Sequence, residues 1–356
     1  MTEKKQNIFT WFVEVFCKQW IWKGFCVNTV YKKFDRWKAW LYLAPVIVLL
    51  LIFTVWPIYN TVNIAFLEGY DMNEELGWIR KGQYYGDEYP FQYGFANFKT
   101  VLTDKHPVTG FLQVLKNTML LCVLTVPLST FIALVIAVSL NSIKFLNRTL
   151  QTIYFLPYVT NSIAIGIVFA AMFSMSTLKT GTGQDEILTA GIMNEILGIF
   201  GVQPIDWIGE KSTYAANIAV MVIYIVWNAL PFKILILLGG LQSVNKQYYD
   251  AAKVDGTSKV RTFTRITVPL LSPMIAYVVI TGFIGGFKEY TSIVGIFGES
   301  MTPPHYNHSL KTMVGYIYDY IEQRQGLASA AALILFAIIF VVTLINLKVS
   351  SKKTQY

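Results

Sequence analysis

Few residues in this sequence could carry catalytic or metal chemistry. The histidines are His106, His305 and His308, and no HExxH, GxSxG or paired-cysteine pattern accompanies them. A nucleotide-binding GxxxxGKS or GxxxxGKT loop is missing as well. We therefore expect a chain that is not an enzyme and that holds no metal, nucleotide or other cofactor of its own. A metal site at His305 and His308 is the weaker alternative.

Polar and aromatic residues inside apolar stretches form a second group of candidates, because polar side chains in a membrane usually face a pore or a partner helix. Tyr224, Trp227 and Asn228 are spaced i, i+3 and i+4 and share one helix face. Aromatic rings stack on sugar rings, and an amide binds hydroxyl groups. We therefore expect these three residues, together with Phe232, to line a passage for a solute. Interhelical packing is the alternative.

A glycine-rich stripe is the third candidate. Gly282, Gly285, Gly286 and Glu289 fall on one helix face, with Lys288 beside them at its outer end. The stripe leaves room either for a ligand or for a closely packed helix, and the spacing from Gly282 to Gly286 favours packing. The predicted substrate pathway includes Gly285, Gly286, Lys288 and Glu289.

Long apolar stretches must position these groups. Hydrophobic residues make up 54% of the chain and charged residues 14%, against about 25% charged in soluble domains. Six windows lack Asp, Glu, Lys and Arg, and each matches the roughly 20 residues that cross a ~30 Å bilayer core. They are 39–67, 117–143, 149–178, 212–232, 266–287 and 325–347. The sequence predicts an all-α membrane protein whose region 39–350 contains six transmembrane helices, near 39–59, 117–140, 152–175, 214–238, 268–287 and 329–347.

Basic residues alternate along the segments that join these windows. Segment 1–38 has eight Lys and Arg against three acidic residues, whereas loop 68–116 has five against seven. By the positive-inside rule, both termini and the segments 144–148 and 233–265 are cytoplasmic. Residues 1–38 mix aromatic and basic side chains, as in a segment at the cytoplasmic interface, and residues 351–356 form a cytoplasmic tail.

The external connection 60–116 is too long for a simple connector and is predicted to form a lid or a docking structure. Cys17 and Cys26 are expected on the cytoplasmic side and Cys122 within the second span. Because no cysteine is expected outside, the sequence indicates no disulfide framework.

The most informative motif begins at Asp250. Two alanines follow it, then a glycine after three further residues, then an Ile-x-Val-Pro sequence. This pattern resembles the EAA signature of ABC importer permeases, with Asp in place of the usual Glu. The residues expected to couple the chain to an ATPase are Asp250, Ala251, Ala252, Asp255, Gly256 and Pro269. The resemblance implies a coupling helix at about 247–258, a sharp turn with positive φ at Gly256 and a helix start at Pro269.

The resemblance extends over residues 40–350. Asn97-Phe98, Val126-Pro127-Leu128 and Phe155-Leu156-Pro157 look like stretches of the maltose and multiple-sugar permeases, and the chain is most similar to the first of their two permease subunits. This implies the type I ABC importer fold in a bacterial inner (plasma) membrane. Gly285 and Gly286 stand where those permeases have larger side chains, so their sugar contacts cannot be transferred.

The resemblance also implies a function and a set of partners. The chain would form the translocation pathway of an ATP-driven carbohydrate importer, moving an oligosaccharide by alternating access. Its partners would be a second permease subunit, an ABC ATPase dimer that uses ATP and Mg, an external sugar-binding protein and the lipid bilayer, but no nucleic acid. The alternatives are an importer of a non-sugar solute or a secondary transporter. The absence of acidic residues in the windows and of an internal repeat disfavours the latter.

Overall fold

The computed structural model describes residues 35–68, 70, 93–143, 147–179, 185–303 and 309–353. Residues 1–34, and residues 69 and 71–92 of the connection 60–116, lie outside the described residues, and so do the predictions that rest on them. The described helices are α1 (Asp35–Leu50), α2 (Trp56–Phe66), α3 (Ala96–Thr103), α4 (Phe111–Ser142), α5 (Asn147–Val159), α6 (Ser162–Phe173), α7 (Ile192–Ile199), α8 (Tyr214–Ser243), α9 (Lys246–Val254), α10 (Lys259–Thr262), α11 (Val268–Leu270), α12 (Ser272–Phe287), α13 (Thr291–Phe297), α14 (Met313–Ile321) and α15 (Gln325–Lys353).

The chain divides into two compact units, residues 1–60 and 61–356. In the described part of the first unit, α1 leads through a π-helical stretch at Leu51–Val55 into the first turns of α2. The second unit holds every other helix and a two-stranded antiparallel hairpin, β1 (Met175–Lys179) with β2 (Asp185–Ala190). The hairpin and α7 occupy a connection for which the sequence predicted only a loop.

Four described helices are long and apolar enough to cross a membrane. They are Trp40–Phe66, Phe111–Ser142, Tyr214–Ser243 and Gln325–Ser350, and they match four of the six predicted spans. The other two predictions correspond to bent helix pairs, so the number of spans reaches six when each pair counts as one.

The third predicted span is not a single helix. It consists of α5 and α6, which meet at a bend of 98°. Asn161 sits between them and caps α6, because its side-chain oxygen accepts hydrogen bonds from the N–H groups of Ile163 at 2.8 Å and Ala164 at 3.4 Å. The prediction of one continuous helix over 152–175 was therefore wrong.

The fifth predicted span begins later than expected. Pro269 lies inside a helical stretch that runs from α10 through a π-helical segment to α11, and the chain bends by 69° at Leu271 before α12. Pro273, in the first turn of α12, occupies the position where a missing N–H costs nothing. Pro273 rather than Pro269 therefore starts this helix.

Helices α4 and α8 pack against each other along the centre of the second unit. One face of α4 packs with α12, α14 and α15 around Val114, Cys122 and Ala330. The C-terminal part of α4 packs on α8 and α12 around Ala137 and Leu237. The surrounding helices thus hold α4 and α8 on several sides and leave a cleft beside them.

Candidate functional site

A cleft of about 320 Å³ lies between α4, α8 and α12, with one wall from α5. Its volume is at the lower end of the roughly 300–1,000 Å³ typical of small-molecule sites. The lining mixes hydroxyl and amide groups with aromatic rings and two ionisable side chains. The polar members of the lining are Thr125, Ser129, Asn228, Thr281, Lys233 and Glu289.

Five of the eight residues predicted for the substrate pathway contribute to this lining: Asn228, Phe232, Gly285, Gly286 and Glu289. The Asn228 amide nitrogen donates to Ser162 Oγ at 3.5 Å. The Phe232 ring stacks on Tyr158, with centroids 5.9 Å apart and an interplanar angle of 18°. The cleft therefore offers one aromatic wall and an amide that can contact hydroxyl groups.

Tyr224 and Trp227 do not line the cleft. The Tyr224 side chain is fully buried, and its hydroxyl donates to the backbone oxygen of Ser162. Both rings pack against Phe169 of α6, at centroid distances of 4.8 and 5.3 Å. In this structure the two residues join α8 to α6, which corresponds to the packing alternative. Lys288 caps the end of α12 and is exposed outside the cleft.

The glycines of the α12 stripe have two different roles, close helix packing and opening of the cleft. A Cβ on Gly286 would lie 2.8 Å from Sγ of Cys122, and one on Gly282 would lie 3.1 Å from Cγ1 of Val126. These two positions let α12 pack closely on α4. A Cβ on Gly285 would meet no atom within 4 Å, so this glycine opens onto the cleft.

Lys233 is the cleft residue that the sequence interpretation missed. Its side chain is only 4% exposed, in the middle of α8. The ammonium donates to Ser129 Oγ at 2.7 Å, Thr130 Oγ1 at 3.0 Å and the backbone oxygen of Val126 at 3.2 Å. Lys233 falls inside the span predicted at 214–238 but was not among the residues predicted to line the pathway, and α8 continues past that span to Ser243. The apolar run that resumes directly after Lys233 was the available signal.

Glu289 follows α12 at one edge of the cleft. Its carboxylate accepts a hydrogen bond from the Ser292 N–H at 3.2 Å, and its backbone oxygen accepts one from Thr312 Oγ1 at 2.7 Å. Burial raises the pKa of the Glu289 carboxyl above its ordinary value, and the hydrogen bonds from Ser292 only partly oppose this. The neutral form of the carboxyl is therefore favoured relative to a solvated glutamate.

The predicted coupling segment forms a short, well-capped helix, α9. At its start, the side-chain oxygen of Asn245 accepts from the Gln247 N–H at 2.9 Å. At its end, Gly256 has φ +63° and donates to Lys253 O at 3.1 Å, while Thr257 donates to Ala252 O at 2.9 Å. These two bonds form a Schellman motif, whose left-handed position favours glycine.

Helix α9 presents most of its surface to solvent. Ala252 packs inward, whereas Asp250, Ala251 and Asp255 are exposed. Val254 is 88% exposed, so α9 also presents an apolar side chain on its surface. The signature residues thus lie on an accessible helix that ends in a turn with defined geometry.

Comparison with known proteins places this architecture in a family. A family model described as the binding-protein-dependent transport system inner membrane component matches residues 111–355. The matched region contains the cleft, α9 and every described helix from α4 onward. This chain belongs to that family. As a member of the binding-protein-dependent inner-membrane components, it is a multi-pass membrane transport protein, and membership decides against a secondary transporter.

Several known proteins resemble the chain over most of its length. The arabinooligosaccharides transport system permease protein AraP of Halalkalibacterium halodurans is 32% identical, over 71% of this chain and 74% of that protein. The lactose transport system permease protein LacF of Rhizobium radiobacter is 28% identical, over 88% and 93%. The crystal structure of a bacterial ABC transporter that imports the acidic polysaccharide alginate matches with a TM-score of 0.68 and 22% identity, covering 90% of this chain and 97% of that one. The last match shows a shared fold.

Proposed function

We propose that this chain is a permease subunit of an ATP-driven oligosaccharide importer in a bacterial cell membrane, and the first of two such subunits. The match to the inner-membrane component family over residues 111–355 carries this proposal. Relatives named as permeases for lactose and arabinooligosaccharides support a carbohydrate as the solute. The cleft agrees with this class, because it combines an aromatic wall with hydroxyl and amide groups.

In the proposed topology, each bent helix pair crosses the membrane as one span, which gives six spans with both termini in the cytoplasm. Helix α9 then lies on the cytoplasmic side, as the positive-inside rule requires for its basic surroundings. We propose that α9 fits into a cleft of an ABC ATPase subunit. Its exposed Val254 and its small Ala251 suit such a contact.

Transport would proceed by alternating access. A loaded sugar-binding protein docks on the outer surface, and ATP with Mg closes the ATPase dimer. Helix α9 passes this movement through the bend at Leu271 to α12, which forms one wall of the cleft. The solute then moves from the binding protein through the cleft and leaves on the inner side.

Uptake by the reconstituted importer tests this proposal. The chain would be co-purified with a second permease, an ATPase and a sugar-binding protein of the same organism, and radiolabelled mono- and oligosaccharides would be supplied to proteoliposomes. We expect ATP-dependent uptake of at least one oligosaccharide, and none with a non-hydrolysable ATP analogue. Uptake of only non-carbohydrate solutes would favour the alternative of a non-sugar importer and contradict the proposal.

The orientation of α9 can be tested separately. Tyr248 is exposed on α9, so a Tyr248→Cys variant lacking Cys17 and Cys26 should react with a membrane-impermeant maleimide. We expect labelling in inside-out vesicles and protection when the ATPase is bound. Labelling of intact cells would place α9 outside and remove the coupling assignment.

A further inference from the structure

Lys233 is a buried cation with no acidic partner in the part of the chain that the structure describes. Intramembrane lysines are costly and usually pair with an acid or with backbone carbonyls. Here the three acceptors are two hydroxyls and one carbonyl, all on a single turn of α4. Among the described residues no carboxylate forms an ion pair with Lys233. The positive charge on this wall of the cleft is therefore not neutralised by an ion pair with any described side chain.

One of the three hydrogen bonds of Lys233 can be given up at little cost. The Val126 carbonyl accepts the longest of them, at 3.2 Å. The same oxygen already accepts from Thr130 Oγ1 at 2.7 Å. The carbonyl would thus remain satisfied if the ammonium turned one N–H group towards the cleft, while the other two bonds held the side chain in place.

Glu289, the acidic residue of the lining, has other partners. It accepts a hydrogen bond from the Ser292 N–H, and its burial favours the neutral carboxyl. Because the charged form of Glu289 is disfavoured, this carboxyl offsets the positive charge of Lys233 less than a solvated glutamate would. A charge in this low-dielectric setting acts strongly on a ligand, because water screens it poorly.

We propose that Lys233 is the binding point for a carboxylate, so that the solute carried through the cleft is an acidic oligosaccharide. This inference rests on the proposed function and specifies its substrate class. The ammonium turns one N–H towards the carboxylate and forms a charge-assisted hydrogen bond, the strong class of such contacts. Asn228 and the stacked pair of Phe232 and Tyr158 contact the hydroxyl groups and apolar faces of the neighbouring sugar units.

A matched pair of ligands isolates the charge. The complete importer, with its second permease and ATPase subunits, is placed in lipid nanodiscs without nucleotide. Binding of radiolabelled trigalacturonate is compared with that of its carboxyl-reduced counterpart, galactotriose, by equilibrium dialysis. We expect trigalacturonate to bind at least about tenfold tighter, as a charge-assisted hydrogen bond implies. Equal binding of the two trimers, or no binding of trigalacturonate, overturns the inference without any mutation.

Two variants assign the preference to Lys233. In Lys233→Met, which removes the charge, the ratio of the two affinities should fall to about one. Lys233→Arg keeps a cation with spare donors and should retain most of the preference. A role confined to holding α4 against α8 would instead weaken binding of both trimers equally in Lys233→Met. Equal weakening leaves the ratio of the two affinities unchanged, and an unchanged ratio contradicts the inference.

Failure of this inference is distinguishable from failure of the proposed function. Neutral oligosaccharides taken up in an ATP-dependent manner, with no preference for the acidic trimer, would leave the importer assignment intact and remove only the carboxylate site. If no carbohydrate, acidic or neutral, is taken up, the proposed function itself fails.

Discussion

Helix α9 and the cleft both depend on glycine, but for opposite physical reasons. Gly256 has φ +63°, and a Cβ there would meet no atom within 4 Å, so backbone conformation selects glycine in an open place. Gly286 lies inside α12, and a Cβ there would lie 2.8 Å from Sγ of Cys122, so space selects it. The two sites should therefore respond differently to the same kind of substitution.

The comparison also separates two tasks within the proposed transport cycle. The α9 turn must keep its geometry while a partner moves it, and local hydrogen bonds define that geometry. The cleft must keep its volume while helices move around it, and contacts between helices define that volume. A change at the first site should uncouple transport without affecting stability, whereas a change at the second should affect volume, stability or both.

The largest effect is expected at Gly256. In Gly256→Pro the ring fixes φ near −65° and removes the N–H that donates to Lys253 O, so the Schellman turn cannot form. ATP-dependent uptake should fall to background, while the amount of protein in the membrane stays unchanged. Gly256→Asn is the matched control, because asparagine tolerates positive φ, and it should retain most of the uptake. Normal uptake by the proline variant would show that the turn is not needed for coupling.

Gly285 tests the volume of the cleft directly. A side chain at this position meets open space, so Gly285→Leu should fold normally and occupy part of the cleft. We expect uptake to fall by about tenfold or more, a loss of roughly 1.4 kcal/mol or more in solute binding, with no change in the melting temperature of the purified complex. Gly285→Ala, a smaller intrusion, serves as the control. Full uptake by the leucine variant would mean that the solute does not use this cleft.

The two regions also differ in how far their sequence predicted them. The end of α9 follows from a local rule, since glycine at the left-handed position after a short helix is sufficient, and Gly256 was predicted correctly. Lys233 lies just beyond the charge-free window 212–232, inside the predicted span 214–238, and was not predicted to line the cleft. Its burial depends on acceptors from α4, about one hundred residues earlier in the chain, and no local pattern reports such a contact.

The bends in the helices could be predicted from the sequence only in part. Asn161 is a recognisable cap, yet a cap alone does not reveal a change of direction by 98°. The close packing of α6 on α13 contributes as well: a Cβ on Gly166 would lie 2.7 Å from Cα of Gly295. Composition therefore predicted that this stretch is apolar and helical, but its path depends on a glycine 129 residues further along the chain.

Gly286 should show a moderate effect on stability that a second mutation reverses. Gly286→Ala forces the new Cβ against Cys122 Sγ and should destabilise the fold by about 1–3 kcal/mol, the usual range for overpacking. In the double variant with Cys122→Ala, the nearest remaining atom is the Cβ of residue 122 at 3.5 Å, an ordinary contact. Thermal unfolding in detergent should show the loss and its recovery. Independent, additive losses from the two mutations would contradict the packing role of Gly286.

The smallest effect is expected at the start of α9, where only a cap is involved. Asn245→Ala removes the side-chain oxygen that accepts from the Gln247 N–H, and caps of this kind contribute about 1 kcal/mol. Since α9 has nine residues, fraying of its first turn should lower uptake two- to fivefold (roughly 0.4–1 kcal/mol), with global stability unchanged. Asn245→Asp preserves the cap and should behave as the wild type. If the alanine variant lost as much uptake as Gly256→Pro, Asn245 would do more than cap the helix, and the turn would no longer be the dominant coupling element of α9.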